Sequence, residues 1–207
     1  ERDTSKLESV TTPFPRLTYA DAMERYGCDR PDLRYGLEIA DYSAAFRGVA
    51  FNITKSVIDA GGRVRGIVVP GGAAWSRKQV DEVEALAKDA GAGGLLRLRR
   101  ADGKLDGPLA KFLEGSTAFS DIPDGALVLF VAGADRASSP ALDRVRQECA
   151  RRLGLVGDGE RRFVIVTDFP MFDRDPATGA FAAVHHPFTA PNPADVTARP
   201  DAPEAWR

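Results

Sequence analysis

Apolar side chains recur along this chain at two spacings, and each spacing predicts a different element. Over residues 18–26, Tyr19, Ala22, Met23 and Tyr26 fall at i, i+3, i+4 and i+7, which is one face of a helix. Thr18 stands before that stripe as a cap and Gly27 after it as a stop. Pro31 disfavours helical geometry at Arg30, so the helix does not resume. From Phe51 the period shortens: Phe51, Ile53, Lys55 and Val57 alternate with their neighbours, which predicts a strand. Gly61-Gly62 offers a tight turn, and a second β-rich run over residues 64–69 ends at Pro70-Gly71-Gly72. The clearest helix follows. Ser76 and Gln79 make a capping box, Val80, Val83, Leu86, Ala87 and Ala90 form the apolar stripe, and Gly91 terminates it.

Residues 95–98 begin another strand, in which Arg97 and Arg99 alternate with Leu96 and Leu98. A short amphipathic turn follows around residues 109–113. Residues 127–131 are apolar on both faces, as a central strand would be. Ser139-Pro140 opens a further helix with Leu142, Val145, Cys149 and Leu153 on its buried face and Gly154 at its end. Residues 163–167 and 180–186 read as two more strands, the first of them buried. The turn-rich segment 173–179 lies between them, so these two are expected to form a separate hairpin. The order in the middle of the chain predicts an α+β fold, an antiparallel sheet with helices on one face.

Composition adds bounds rather than detail. Of 207 residues, 43% are hydrophobic, enough for a real core, and 28 basic against 30 acidic side chains leave a net charge of -2. A balance that close gives no overall attraction to nucleic acid, so any such contact would come from a local patch. Cys28 and Cys149 are the only cysteines and have no CxxC spacing, which reads as reduced thiols in an intracellular protein. The polar start is neither a signal peptide nor an anchor, and no apolar run approaches the roughly 18 residues that span a bilayer. The chain lacks an initiator Met and its tail has no closing element; both suggest a piece of a longer protein.

His185 and His186, in His185-His186-Pro187-Phe188-Thr189, are the only histidines. Neighbours on a strand point to opposite faces, so one of the pair can address a given pocket, and the two are badly spaced for one metal. A single His there can donate a hydrogen bond to a carboxylate. The glycine pairs lack any phosphate-loop pattern and read as turns. Gly157-Asp158-Gly159-Glu160-Arg161 also reads as a turn, after a helix. Arg97, Arg99, Arg100 and Lys104 form one basic cluster and Arg144, Arg146, Arg151 and Arg152 another. Both read as solvated polar faces, with phosphate contact as the alternative. Asp168 follows a buried strand, where active-site groups tend to sit, but its ordinary role there is to cap a turn.

Four strings together resemble bacterial-type aspartyl-tRNA synthetase, a class II enzyme: residues 14–23 (FPRLTYADAM), 26–34 (YGCDRPDLR), 167–172 (TDFPMF) and 185–191 (HHPFTAP). Between them, residues 65–73, 76–79 and 110–113 resemble the GAD domain inserted in those enzymes. The resemblance covers nearly the whole chain in the family's order. It implies an aspartate–tRNA ligase of the cytoplasm that activates aspartate with ATP and Mg and transfers it to tRNA. It also implies a homodimeric parent and no partnership with DNA or membrane. By the same resemblance, His185 binds the substrate aspartate with His186 as its neighbour, and no residue of this chain is assigned a catalytic or metal-binding role. The expected domains are a catalytic-core flank over residues 1–36, a GAD-like insertion over 37–159, and a return into the core over 160–207. The flanks should supply strands of a class II antiparallel core. The family's three class II motifs and its anticodon-binding barrel are not found, so the chain alone is expected to be inactive and to hold no cofactor. The rival reading is a stand-alone GAD-like module that binds tRNA or protein.

Overall fold

In the computed structural model, residues 12–113, 115–175, 177–184 and 190–207 are described. The elements, in chain order, begin with β1 (Arg16–Thr18), α1 (Tyr19–Tyr26), β2 (Ala40–Asp41), α2 (Ser43–Phe46), α3 (Asn52–Asp59), β3 (Arg63–Val69) and α4 (Arg77–Asp89). They continue with β4 (Leu96–Ala101), β5 (Lys104–Asp106), α5 (Ala110–Leu113), β6 (Leu127–Gly133) and α6 (Asp135–Leu153). The last are β7 (Ile165–Thr167), β8 (Phe172–Arg174), β9 (Phe181–Ala183) and α7 (Pro193–Ala198). Two compact units emerge, one built mainly from residues 22–163 and the other from residues 11–21 and 164–207, with the division inside α1.

The larger unit is α+β. Its sheet runs β2-β3-β6-β4-β5, and every pairing is antiparallel. Strand alternation sorts the side chains onto two faces. Ile67 and Val69 of β3 and Leu127, Leu129 and Val131 of β6 face a core shared with Val80, Val83 and Ala87 of α4 and Leu142, Val145 and Cys149 of α6. Both long helices therefore share one face. Val64, Leu98, Val128 and Phe130 point the other way, into a second core with Phe46, Leu109, Leu113 and Phe119. There Phe46, Phe119 and Phe130 meet edge to face at 5.5–6.4 Å, the geometry that ring quadrupoles favour. Short helices α2, α3 and α5 close that side.

Three sequence expectations change. Residues 51–57 are not a strand; 52–59 form α3. Phe51, Thr54 and Ile58, spaced i, i+3 and i+7, face the protein, while Ile53 is exposed. The Thr54 hydroxyl donates back to the Phe51 carbonyl at 3.1 Å. β3 already has β2 and β6 as neighbours, so no sheet position beside it is left for that segment. Helix α6 starts one turn before Ser139. Asp135 accepts two bonds from Arg63 at 2.9 and 2.7 Å, an anion at the positive end of the helix dipole. Pro140 thus falls inside the helix, where it cannot donate to the Arg136 carbonyl.

The expected hairpin also takes different partners. β7 pairs in parallel with β1, and Ile165 and Phe163 are exposed rather than buried. β9 pairs instead with β8. Turn chemistry decides this: the Asp175 carboxylate accepts from the Ala177 and Thr178 amides at 2.7 and 3.1 Å, closing a tight turn on its immediate flanks.

Two buried arginines tie the helices to the sheet. Arg65, 1% exposed on β3, donates to the Ser139 hydroxyl on α6 at 2.8 Å and to the carbonyls of Met23 and Glu24 on α1 at 2.9 and 2.7 Å. Arg146 on α6 is fully buried between the Tyr26 and Tyr35 rings, 4.8 and 5.0 Å from their centroids. Its Nε donates to the Leu37 carbonyl at 2.8 Å and its Nη2 reaches the Gly36 and Asp32 carbonyls at 3.2 and 3.3 Å. Between these anchors, Gly27 ends α1 with φ 78° and its α-carbon faces α6, so that an added Cβ would lie 2.3 Å from the Ser139 carbonyl oxygen.

Gly61 has nearly the same backbone, φ 80°, but open space around it. In urea denaturation, Gly61→Ala is expected to cost about 1 kcal/mol for the left-handed backbone alone. Gly27→Ala should cost about 3 kcal/mol, because α1 and α6 must also part. Equal losses would show that the α1–α6 approach is not tight.

Candidate functional site

The strongest sequence candidates, His185 and His186, lie outside the described residues. The strand that leads to them is described. β9 ends at Ala183, and the next amide, Val184, donates to the Met171 carbonyl at 3.1 Å. Met171 is buried, and its amide donates to the Trp206 carbonyl at 3.1 Å. Phe172 packs between the Phe181 and Trp206 rings at 6.4 and 6.0 Å. The chain end returns to this cluster through α7, which Asn192 caps by accepting from the Ala194 amide at 3.0 Å. The smaller unit thus carries a short hairpin, braced by aromatics, whose second strand runs directly into the histidine string.

Asp168 sits at the end of β7 with φ 59°, a left-handed conformation that Asp tolerates better than most residues. The Thr167 hydroxyl donates to its carboxylate at 2.9 Å, a local turn contact of the ordinary kind expected. Phe169 follows and packs on Tyr19 at 5.2 Å. Among the described residues, no three or more His, Cys, Asp and Glu side chains are grouped to hold a metal ion.

The two basic clusters depart from the solvated faces expected of them. In the α6 cluster, Arg144 is exposed but Arg146 is fully buried. Arg151 and Arg152 both bond Glu148, at 2.7 and 2.6 Å, and Arg152 also reaches Glu82 at 2.9 Å. These cations hold the Glu148 carboxyl down at about 2, with the Arg151 hydrogen bond the largest cause. In the other cluster, Arg100 donates to the Phe119 carbonyl and Arg99 to the Trp75 carbonyl, each at 2.8 Å. Arg97 and Arg99 line a surface cleft together with Arg77, Asp106, Gly107 and Pro108. Arg77 was not singled out in the sequence, because nothing local links α4 to β4. Arg65 was also missed, although a lone charge inside the apolar run 64–69 was a readable signal. The Gly157–Arg161 string is a turn, with the Glu160 amide donating to the Gly157 carbonyl at 3.2 Å.

Comparison with known proteins adds what geometry does not. Residues 54–142 match the GAD domain family. The chain is 41% identical over 189 residues to "Aspartate--tRNA(Asp/Asn) ligase" of Caldanaerobacter subterraneus subsp. tengcongensis, covering 89% of this chain and 32% of that protein. It is 43% identical over 205 residues to the protein of the same name from Salinispora arenicola, covering 94% and 34%. It is 39% identical over 189 residues to "Aspartate--tRNA ligase" of Lactobacillus acidophilus, covering 88% and 31%. Along this stretch the chain is similar to aspartate–tRNA ligases. It spans about a third of the length of the curated ligases it matches. Among solved structures, hypothetical protein PH0730 from Pyrococcus horikoshii OT3 aligns at TM-score 0.35 and 17% identity over 46% of this chain and 58% of its own, too distant to carry an argument.

Both thiols of this chain are held protonated. Burial pushes Cys149 up to about 12; burial, and then the charge of Asp143, push Cys28 up to about 11. Alkylation by iodoacetamide at pH 7.5 should therefore run far slower than for a free thiol, and reaction of either cysteine at the free-thiol rate would refute that burial. The Glu148 pairs give a pH signature. A depressed carboxyl stabilises the fold above its ordinary range and loses that contribution as pH falls through its folded value. Glu148→Gln should lower Tm at pH 7, with the difference shrinking between pH 4.5 and about 2; a difference unchanged at low pH would contradict the pairing.

Proposed function

We propose that this chain is the part of an aspartate–tRNA ligase that carries the GAD domain and the histidine string of the aspartate pocket. The observation that supports it most is identity near 40% along about nine-tenths of the chain to proteins named as such ligases. In this proposal, residues 1–36 and 160–207 belong to the catalytic core, and residues 37–159 are the insertion. The parent enzyme is a cytoplasmic homodimer that uses ATP, Mg, aspartate and tRNA.

His185 donates a hydrogen bond to the side-chain carboxylate of aspartate, with His186 as its neighbour in the string. A protonated imidazole favours a carboxylate over the neutral amide of asparagine, so the same contact discriminates between the two substrates. ATP and Mg do not fit the described residues of this chain. The sequence has no phosphate-binding glycine loop that opens a helix, and among the described residues no three or more His, Cys, Asp and Glu side chains are grouped.

Aspartate-dependent ATP–pyrophosphate exchange by the 207-residue chain, with magnesium, should be absent with or without tRNA. In the longer ligase, His185→Ala should raise the KM for aspartate about 10- to 100-fold, the loss of one charge-assisted hydrogen bond. Exchange by the chain alone would overturn its assignment as an inactive part, and an unchanged KM would overturn the role of His185.

A further inference from the structure

Arg97 and Arg99 stand two residues apart on the face of β4 that looks toward α4. Neighbouring strands fill that face with Ile67, Val69, Leu127 and Leu129. With Arg77 from the first turn of α4, the two arginines line a cleft of about 250 Å³, whose other walls are Asp106, Gly107 and Pro108. Among the described residues, partners answer little of this charge. Arg97 and Arg77 share one carboxylate, that of Asp81, at 3.3 and 3.7 Å. Arg99 spends one donor on the Trp75 carbonyl, and its Nε–H is buried without an acceptor. Elsewhere in this unit, Arg25, Arg34 and Arg63 each hold a carboxylate through two donors.

The surroundings extend the positive surface. The first turn of α4 contains no acid and adds Lys78, against the usual preference of helix starts for acidic side chains. Edge strand β5 itself carries Lys104, which with Lys111 of α5 lines a second cleft together with Leu105, Ala110 and Gly115. Guanidinium forks match the paired oxygens of a phosphate, and basic groups lining two clefts along one hairpin suit a run of phosphates better than a single anion.

We propose that the cleft between α4 and the β4–β5 hairpin is a contact site for the phosphate backbone of RNA. Arg77, Arg97 and Arg99 hold one segment of the backbone, and Lys104 and Lys111 lie along its continuation. That the polyanion is RNA rests on the ligase reading; the cleft itself rests on the arrangement of charge. Contacts of this kind position a nucleic acid without reading its sequence.

The test is titration of the whole 207-residue chain with fluorescently labelled tRNA, by anisotropy, over a range of salt. Replacing Arg77, Arg97 and Arg99 together by Gln should weaken binding about tenfold at low salt. It should also flatten the log K against log salt line by about two, the counterions of two to three phosphates. Arg77→Gln alone, at a side chain 84% exposed, should show part of the same loss without any threat to folding. Arg136→Gln with Arg144→Gln, on exposed positions of α6, should bind as the unaltered chain does. The proposal is overturned if the unaltered chain does not bind tRNA, if the triple variant binds equally well, or if the α6 pair matters as much. It is also overturned if polyphosphate competes as well per phosphate as tRNA does, since the ligand class would then be a free polyanion. Aspartate-dependent pyrophosphate exchange by the longer ligase needs no RNA. Its absence in the unaltered enzyme would therefore strike the ligase reading alone.

Discussion

A guanidinium buried without a carboxylate at hydrogen-bonding distance organises the larger unit. Arg65 leaves β3 on the face it shares with Ile67 and Val69, its donors go to the carbonyls that end α1 and to the Ser139 hydroxyl, and the Asp135 and Glu24 carboxylates stand at 3.7 and 4.0 Å. Those carbonyls are the negative end of the α1 dipole, and charged hydrogen bonds of this kind contribute about 1.5–3 kcal/mol each. The arrangement is directional, so it sets where α1 ends and where α6 crosses. Arg63, one strand position on the same face, joins Glu24 to Asp135 across the same junction. An apolar replacement could fill the space of Arg65, but it would take that donor from the Glu24 carbonyl and the Ser139 hydroxyl, while the Met23 carbonyl would keep only the Gly27 amide at 3.1 Å.

Arg146 does the same for the segment after α1. Its stack between Tyr26 and Tyr35 and its bonds to the Asp32, Gly36 and Leu37 carbonyls hold a stretch with almost no regular structure. Leu37 sits at φ 58° within it, a strained backbone for a bulky residue that persists because its carbonyl is engaged. The aromatic rings spread the charge, and the carbonyls supply the solvation that burial removes. Order in this segment thus comes from α6, more than 100 residues downstream in sequence.

The sheet then divides the labour. One face carries α4 and α6 over an aliphatic core, and the other an aromatic core closed by short helices. Toward β4 and β5 the first face changes from aliphatic to cationic, and the arginine-lined cleft is this rim. The smaller unit is sparser: two two-stranded pairings, an aromatic brace and a chain end folded back through Trp206 and Arg207.

The sequence by itself determined the features whose cause is local. The Ser76–Gln79 capping box, the stripe Val80–Val83–Ala87 and the doubly apolar β6 are all set by neighbours within a few residues, and all are found as read. The resemblance to aspartate–tRNA ligases was equally legible, because it resides in strings such as residues 167–172 and 185–191. Tertiary structure decided what depends on residues far apart. Residues 51–57 carry both a period-2 and a helical set, and the sheet positions beside β3 were already taken. The partner of β7 depended on β1, nearly 150 residues away. Arg65, Arg97, Arg99 and Arg146 look alike as letters. Which of them is buried and bound to carbonyls, and which faces a cleft, follows from helices and strands that only folding brings alongside, because burial and hydrogen bonding are properties of place.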